Sequence, residues 1–150
     1  MSIKTMLELE EGRKNRAYPD PLTDGAPWTI GIGHTGPEVH EGLVWTDAQV
    51  DSAFRVDLGT AFQACLDRFS PWFGDMSDAR QAVLVSMMFQ MGPSRLLKFV
   101  NTLNAMRLGR YAAAAAGMQN SLWARQTPLR AGRAAEQMKT GVWNPSYLER

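Results

Sequence analysis

The first apolar side chains of the sequence lie along one side of a short predicted helix. Ile3, Met6 and Leu7 recur at the i, i+3 and i+4 spacing of an amphipathic helix. Ser2 can cap the N-terminus of this helix, and a glycine follows its end. The pattern therefore predicts a helix over residues 2–11.

Residues 12–45 have a different pattern, in which glycines and prolines separate short extended pieces. Residues 28–34 alternate in the manner of a β-strand, so alternate side chains should point to opposite faces. One face would carry Trp28, Ile30, Ile32 and His34, and the other would carry Thr29, Gly31 and Gly33. We predict a small, turn-rich β element over this stretch.

A long helix is predicted next in the chain. Thr46 and Gln49 have the spacing of a capping box, and the apolar positions after them keep helical spacing until Ser70-Pro71. The prediction is a helix over residues 46–69. About two dozen residues that rise about 1.5 Å each make a rod as long as a small domain is wide, so this helix should connect two lobes.

The rest of the sequence is dominated by helical patterns. Four runs of apolar residues keep helical spacing, and they cover about 77–91, 96–106, a stretch that begins near 110, and 127–141. The last run has Thr127 as a possible cap, Pro128 at the first helical position and Gly141 at its end. We expect a helical lobe over residues 71–150.

Length and composition limit the chain to one compact domain. The 150 residues, 45% of them hydrophobic, suffice for a single core over residues 1–150. The fold class predicted from the pattern is α+β, mainly helical. Sixteen Lys and Arg face fifteen Asp and Glu, which leaves a net charge of +1 and no global basic field that would indicate a nucleic-acid partner.

Cysteine and hydropathy patterns bear on the compartment. Cys65 is the single cysteine, so it has no intramolecular disulfide partner, and no Cys/His cluster has the spacing of a zinc site. No apolar run is long enough for the core of a signal peptide or for a membrane span. We therefore expect a protein of the reducing cytoplasm, without metal and without stable membrane insertion.

Two adjacent carboxylates end the first predicted helix. Helical steps from Ile3 and Leu7 bring Glu10 and Glu11 to the core face or its edge. A carboxylate near apolar surface has a raised pKa and can act as a general acid. Periodicity does not choose between the two residues, and a solvated acidic helix end is the plainer interpretation of such a pair.

A second carboxylate and a hydroxyl group follow within the β-rich stretch. Asp20 stands between two prolines, whose fixed φ angles stiffen the backbone around it, although such a tripeptide can also be only a turn. Thr29 could hold a water molecule on the glycine-rich face. Two carboxylates and a water-binding hydroxyl are the parts of a glycosidase site, but other proton-transfer sites use the same residue types. His34 shares the apolar face, which favours a structural histidine.

Three motifs in this region decide between these possibilities, and they are Glu11-Gly12, Ala17-Tyr18-Pro19-Asp20 and Trp28-Thr-Ile-Gly-Ile-Gly-His34-Thr35. They closely resemble the active-site region of phage-type lysozymes, the endolysins and muramidases of glycoside hydrolase family 24. Segments 89–92, 99–103, 123–130 and 140–143 resemble the C-terminal lobe of the same family. The resemblance implies a bilobal lysozyme-like fold with a cleft between the lobes.

The resemblance also implies a role for each catalytic candidate. Glu11 matches the general acid, Asp20 the second catalytic carboxylate, and Thr29 the residue that orients the attacking water. The loop over residues 21–27 is longer than in the commonest pattern of the family, so the placement of Asp20 relative to Thr29 departs from that pattern.

Further residues match supporting positions of the family. The positions that line the saccharide cleft are matched by Thr35, Phe89, Gln90 and Thr102. Arg130 matches an arginine that pairs with the catalytic glutamate, and His34 is kept as a supporting residue. For Phe89 and Gln90, which lie in a Met-rich helix end, a plain core role is the alternative.

The function implied is hydrolysis of the β-1,4 bond between N-acetylmuramic acid and N-acetylglucosamine in peptidoglycan glycan strands, without a cofactor. Thr29 as a candidate water holder, together with the family resemblance, favours an inverting route. The biology implied is a monomeric phage endolysin that accumulates in the host cytoplasm and reaches the cell wall after a separate holin opens the membrane. One alternative is a chitinase-like or chitosanase-like glycosidase. Another is a non-catalytic peptidoglycan-binding module, and the presence of Glu11, Asp20 and Thr29 together argues against this second alternative.

Overall fold

The computed structural model describes residues 1–21 and 25–148. Its helices are α1 (Ile3–Glu11), α2 (Asp47–Arg68), α3 (Trp72–Asp75), α4 (Asp78–Leu96), α5 (Val100–Arg107), α6 (Tyr111–Gln119), α7 (Leu122–Gln126), α8 (Pro128–Thr140) and α9 (Pro145–Leu148). Its strands are β1 (Lys14–Asp20), β2 (Gly25–Gly31) and β3 (His34–Thr35). The predicted fold class, α+β and mainly helical with a small sheet, is confirmed.

Local capping interactions explain where helices α1 and α2 begin. The Ser2 hydroxyl accepts a hydrogen bond from the Thr5 amide at 3.2 Å, which caps α1. At the start of α2 the Gln49 side chain accepts from the Thr46 amide at 2.8 Å, and the Thr46 hydroxyl accepts from the Gln49 amide at 3.2 Å. The predicted capping box is therefore confirmed, and so is the long helix that follows it.

The chain forms two compact units, which we call the small unit (residues 7–60) and the helical unit (residues 1–6 and 61–150). Helix α2 contributes residues to both. The small unit carries four Lys and Arg against ten Asp and Glu, a net charge of −6, whereas the helical unit carries twelve against five, a net charge of +7. That the chain acts as a single catalytic domain stays a prediction.

The small unit is built around a three-stranded antiparallel sheet in the order β1-β2-β3. Thr29 of β2 pairs with Tyr18 of β1 on one side and with Thr35 of β3 on the other. One face of the sheet packs on a small hydrophobic core formed by Ala17, Trp28, Ile30, Val39, Leu43 and Trp45. The pairing and this core leave Thr29 on the opposite face, because neighbouring residues of a strand alternate.

The prediction of one strand through residues 28–34 is wrong. Strand β2 ends at Gly31, the chain turns at Ile32 and Gly33, and it returns as β3. Gly31 and Gly33 have φ angles of +67° and +68°, which favour glycine and reverse the chain. His34 nevertheless shares a face with Ile30, because the two residues pair across the hairpin.

The loop predicted over residues 21–27 is shorter than expected, because residues 25–27 belong to β2. Residues 22–24 lie outside the described part of the chain.

The helical unit follows its predicted pattern with two corrections at helix boundaries. Ser77 caps α4 by accepting from the Arg80 amide at 3.3 Å. Gly92, with φ +78° and ψ 168°, then interrupts the helical backbone, so Leu96 closes α4 and the next helix begins only at Val100. The predicted run over 96–106 therefore starts too early.

The start of α8 shows the second correction. Pro128 occupies the first turn as predicted, and Gly141 ends the helix with a left-handed φ of +78°. The Thr127 hydroxyl does not cap α8, since it donates instead to the Trp123 carbonyl of α7 at 3.0 Å. Thr127 thus satisfies the C-terminus of the preceding short helix, which the sequence pattern did not predict.

Cys65 lies on the buried side of α2, and burial raises the pKa of its thiol to about 12. At pH 8 only about one thiol in 10⁴ would be ionised, and the thiolate is the reactive form. We expect Cys65 to react with thiol reagents far more slowly in the native protein than in urea, and Cys65→Ala to remain active. Rapid native labelling, followed by absorbance of the released aromatic thiol, would contradict this burial.

Candidate active site

Glu11 ends α1, and its carboxylate lies against the turn between β2 and β3. A Cβ atom built on Gly33 would come within 2.7 Å of Glu11 Oε2 and 2.9 Å of Glu11 Cδ. The three atoms nearest to that position all belong to Glu11. The absence of a side chain at Gly33 therefore provides the space that the Glu11 carboxylate occupies.

A row of three hydroxyl side chains crosses the exposed face of the sheet. Tyr18, Thr29 and Thr35 are direct neighbours across β1, β2 and β3. Paired residues of antiparallel strands project from the same face, so the three hydroxyl groups share the face opposite the small core. Thr29 lies at the centre of this row and is half-buried.

Asp20 is the last residue of β1, two positions beyond Tyr18, and is half-buried. Burial raises the pKa of the Tyr18 phenol, and the negative charges of Glu11 and Asp20 raise it further. The Tyr18 ring therefore lies in the electrostatic field of both carboxylates. Sequence reasoning missed Tyr18, although its place in the Ala17-Tyr18-Pro19-Asp20 motif could have indicated it.

His34 is held by carboxylates on both sides of its ring. Nδ1 lies 2.6 Å from Asp57 Oδ2 of α2, and Nε2 lies 2.6 Å from Glu38 Oε1. Burial lowers the pKa of the imidazole, but the hydrogen bonds to Glu38 and Asp57 and their charges outweigh this effect, so the pKa of His34 is raised. Both nitrogens of the His34 ring thus have a carboxylate partner.

This raised pKa predicts how stability depends on pH. A group whose pKa is higher in the folded state contributes stability that is fully present below its unfolded pKa, about 6.5 for histidine, and is lost as pH rises through the folded value. We expect His34→Gln to lower the free energy of unfolding more at pH 5.5 than at pH 9. Urea unfolding of both proteins at the two pH values measures this, and an equal loss at both would exclude a stabilising charge on His34.

The remaining candidate residues lie in the helical unit. Phe89 and Gln90 are half-buried on α4, and the Gln90 side-chain oxygen accepts from Trp123 Nε1 at 2.8 Å. Thr102 of α5 is buried, with its hydroxyl against Gly117 of α6, and it lines a cavity of about 520 Å³. Arg130 donates to the Ser86 hydroxyl at 3.0 Å. The predicted pairing of Arg130 with Glu11 stays a prediction.

Within residues 1–21 and 25–148, no group of three or more His, Cys, Asp or Glu side chains is arranged to hold a metal ion. Within the same residues, no helix combines the length and the apolar character that crossing a bilayer requires.

Comparison with known proteins places the chain in a family. The model of the family described as "Phage lysozyme" matches residues 8–138. The chain belongs to the phage lysozyme family. As the sequence motifs indicated, the protein is a lysozyme and therefore a glycoside hydrolase.

Relatives from very different organisms align with nearly the whole lysozyme chain. "Probable T4-type lysozyme 1" of Dictyostelium discoideum is 29% identical over 95% of this chain and 96% of its own length. "Pre-baseplate central spike protein Gp5" of Enterobacteria phage T4 is 30% identical over 94% of this chain but only 28% of its own length. "Peptidoglycan hydrolase gp36" of Pseudomonas phage phiKMV is 31% identical over 92% of this chain and 15% of its own length.

Proposed function

We propose that this lysozyme hydrolyses the β-1,4 bond between N-acetylmuramic acid and N-acetylglucosamine in peptidoglycan. The observation that carries the proposal is the Glu11 carboxylate, seated on the Gly33 turn within the unit that also holds Asp20 and Thr29. The name of the phiKMV relative, a peptidoglycan hydrolase, supports the choice of substrate.

In the proposed reaction Glu11 donates its proton to the glycosidic oxygen as the bond from that oxygen to the anomeric carbon breaks. The Thr29 hydroxyl orients a water molecule. The Asp20 carboxylate accepts a proton from that water as the water oxygen bonds to the anomeric carbon. The reaction consumes one water and yields one new reducing end. Acid, base and water suffice for this chemistry, so the proposal includes no cofactor.

The substrate contacts are part of the same proposal. Thr35 continues the hydroxyl row beside Thr29, which suits hydrogen bonding to a sugar. Phe89, Gln90 and Thr102 are proposed as saccharide contacts of the helical unit, and Arg130 as the partner that orients Glu11. Gln90 and Arg130 are each held by a hydrogen bond within that unit, which reduces the freedom that substrate binding would have to restrict.

The stereochemistry of the first product tests the direct-water mechanism. Water attack on the face opposite the leaving group inverts the anomeric centre, so we expect the α-anomer first. Proton NMR during early hydrolysis distinguishes the anomers. An initial β-anomer would instead make Asp20 a nucleophile, whereas an initial α-anomer together with a strong loss of turnover in Thr29→Val would support all three roles.

Substrate specificity is tested by comparing release of reducing ends from purified peptidoglycan and from chitin oligomers. We expect turnover of peptidoglycan. Turnover of chitin oligomers alone would favour a chitinase-like or chitosanase-like glycosidase. Binding to sacculi without any release of reducing ends would indicate a non-catalytic wall-binding module.

We further propose that the protein is a monomeric endolysin that acts on the wall from within the host after a separate holin opens the membrane. A fusion to a fluorescent protein should then stay in the cytoplasm of a bacterium that lacks the holin. Periplasmic fluorescence in that strain would contradict this route.

A further inference from the structure

The backbone segment against which the Glu11 carboxylate lies is directly linked to His34. Gly33, against which the carboxylate lies, forms the turn between β2 and β3, and His34 is the next residue. The contact is close enough that a methyl group at Gly33 would collide with the Glu11 carboxyl group. Any displacement of this turn therefore shifts the surface on which the carboxylate rests.

Side chains from two other segments fix His34 in place. Asp57 reaches its ring from α2, and Glu38 reaches it from the segment after β3. The side chain of His34 is 17% exposed, that of Asp57 29% and that of Glu38 55%, so the contact with Asp57 is the more protected. The Trp45 ring packs against the imidazole, with 5.2 Å between the two ring centroids. These contacts anchor the first residue of β3 to the long helix.

The double contact depends on the charge of the ring. A neutral imidazole has one N–H donor and one acceptor nitrogen, whereas an imidazolium has two donors. Since both ring nitrogens of His34 lie 2.6 Å from carboxylate oxygens, only the imidazolium donates to both. Loss of its proton therefore leaves one nitrogen lone pair facing a carboxylate, and that contact must open.

Solvent can reach this cluster through an open groove of about 370 Å³ on the core side of the sheet. The charged or titratable groups that line the groove beside His34 are Glu38 and Asp57, and the other lining residues are Trp45, Gln49, Ser52, Ala53 and Val56. His34 can thus exchange its proton with bulk solvent. The groove lies on the face of the sheet opposite the Tyr18, Thr29 and Thr35 hydroxyl row.

We propose that His34, clamped between Asp57 and Glu38, is a positioning residue that holds the Glu11 carboxylate in place through the Gly33 turn. The proposal rests on the proposed role of Glu11 as the general acid. A shift of about 1 Å in a catalytic group can cost about 10²-fold in rate, so a clamp that limits such a shift has a measurable effect on turnover.

The test compares kcat and KM on purified peptidoglycan for the wild type, His34→Gln and Asp57→Asn between pH 5 and pH 9. We expect kcat at pH 6 to fall about tenfold or more in both variants, with KM nearly unchanged. Beyond the decline that follows when the general acid itself loses its proton, the wild-type kcat should show a second alkaline decline as His34 loses its proton, and His34→Gln should lack this second decline. Circular dichroism and urea unfolding confirm that each variant is folded under assay conditions.

Asp67→Asn is the matched control, because it makes the same substitution on the same helix. Asp67 is exposed and accepts a hydrogen bond from Gln63, four residues earlier on the same helix. We expect this variant to keep the wild-type kcat and pH profile. A decline equal to that of Asp57→Asn would attribute the effect to α2 in general and overturn the proposal.

A second measurement does not depend on turnover. The ¹³C chemical shift of the Glu11 carboxyl carbon should show an additional step in the pH range where His34 titrates, and this step should be absent from His34→Gln. If His34→Gln does not fold, the same signal is compared in two other variants. The additional step should be lost in Asp57→Asn and retained in Asp67→Asn.

Failure of this proposal is distinguishable from failure of the proposed function. Wild-type turnover that is lost in Glu11→Gln but retained, with its pH profile, in His34→Gln would reject the positioning role and leave the function intact. Full activity of Glu11→Gln would reject the proposed acid, and the positioning role with it.

Discussion

Glu11→Gln is expected to lower the turnover of peptidoglycan by about 10²–10⁴-fold while the fold is retained. Glutamine keeps the size and hydrogen-bonding capacity of the side chain but has no proton to give to the leaving oxygen. The space beside Gly33 accommodates glutamate and glutamine equally, so the free energy of unfolding should change little. Release of reducing ends and urea unfolding, measured on the same preparations, separate the two effects.

Glu10→Gln is the matched control for this prediction. Glu10 precedes Glu11 on α1 and is also half-buried, so the substitution makes the same chemical change one residue away. A much smaller loss is expected. Equal losses from both substitutions would show that the acid is assigned to the wrong carboxylate.

Gly33→Ala is expected to lower kcat by about 10²-fold, because the new methyl group would displace the Glu11 carboxylate from its seat. The residue also has a φ of +68°, so alanine there strains the backbone by about 1–2 kcal/mol and lowers stability. Steady-state kinetics and urea unfolding measure the two consequences.

Gly42→Ala is the control that separates backbone strain from displacement of the Glu11 carboxylate. Gly42 lies in the same small unit with a φ of +90°, but a Cβ atom there would meet nothing within 4 Å. We expect a similar loss of stability and no loss of kcat. If the two variants have equal kcat, the contact between Gly33 and Glu11 does not determine the position of the acid.

Local signals in the sequence were sufficient to predict most helix boundaries. The caps at Ser2 and Thr46 and the left-handed glycine at 141 each act within one turn of helix, so the residues that decide the outcome are adjacent in sequence. The predicted run over 77–91 also ends directly before Gly92, where the backbone of α4 departs from helical geometry. The start of the next helix at Val100 was placed too early, because apolar spacing alone does not mark where a helix resumes after such a break.

The hairpin at Ile32 and Gly33 shows a different limit. Alternation of apolar and polar residues has the same appearance in a continuous strand and in a strand that reverses through a short turn, because His34 returns to the face it would have had. Only the two left-handed glycine conformations distinguish the cases. The sequence contained both glycines, but not their φ angles.

The candidate site was partly beyond sequence reasoning for a related reason. The spacing within α1 left Glu10 and Glu11 equivalent, and the contact that distinguishes Glu11 comes from Gly33 on another element. The position of Tyr18 beside Thr29 likewise follows from strand register, which is irregular on both sides of that pair. Contacts between segments distant in sequence require the tertiary fold.

The opposite charges of the two units mean that the total charge of the protein is a poor guide to its interactions. At physiological ionic strength the Debye length is about 8 Å, less than the radius of gyration of about 10 Å for a chain as short as the small unit. An anionic polymer at the surface therefore senses the nearest unit and not the total of +1. It is attracted by the +7 of the helical unit and repelled by the −6 of the small unit. A nearly neutral enzyme can thus interact with a charged polymer through one of its units, and added salt would weaken that interaction.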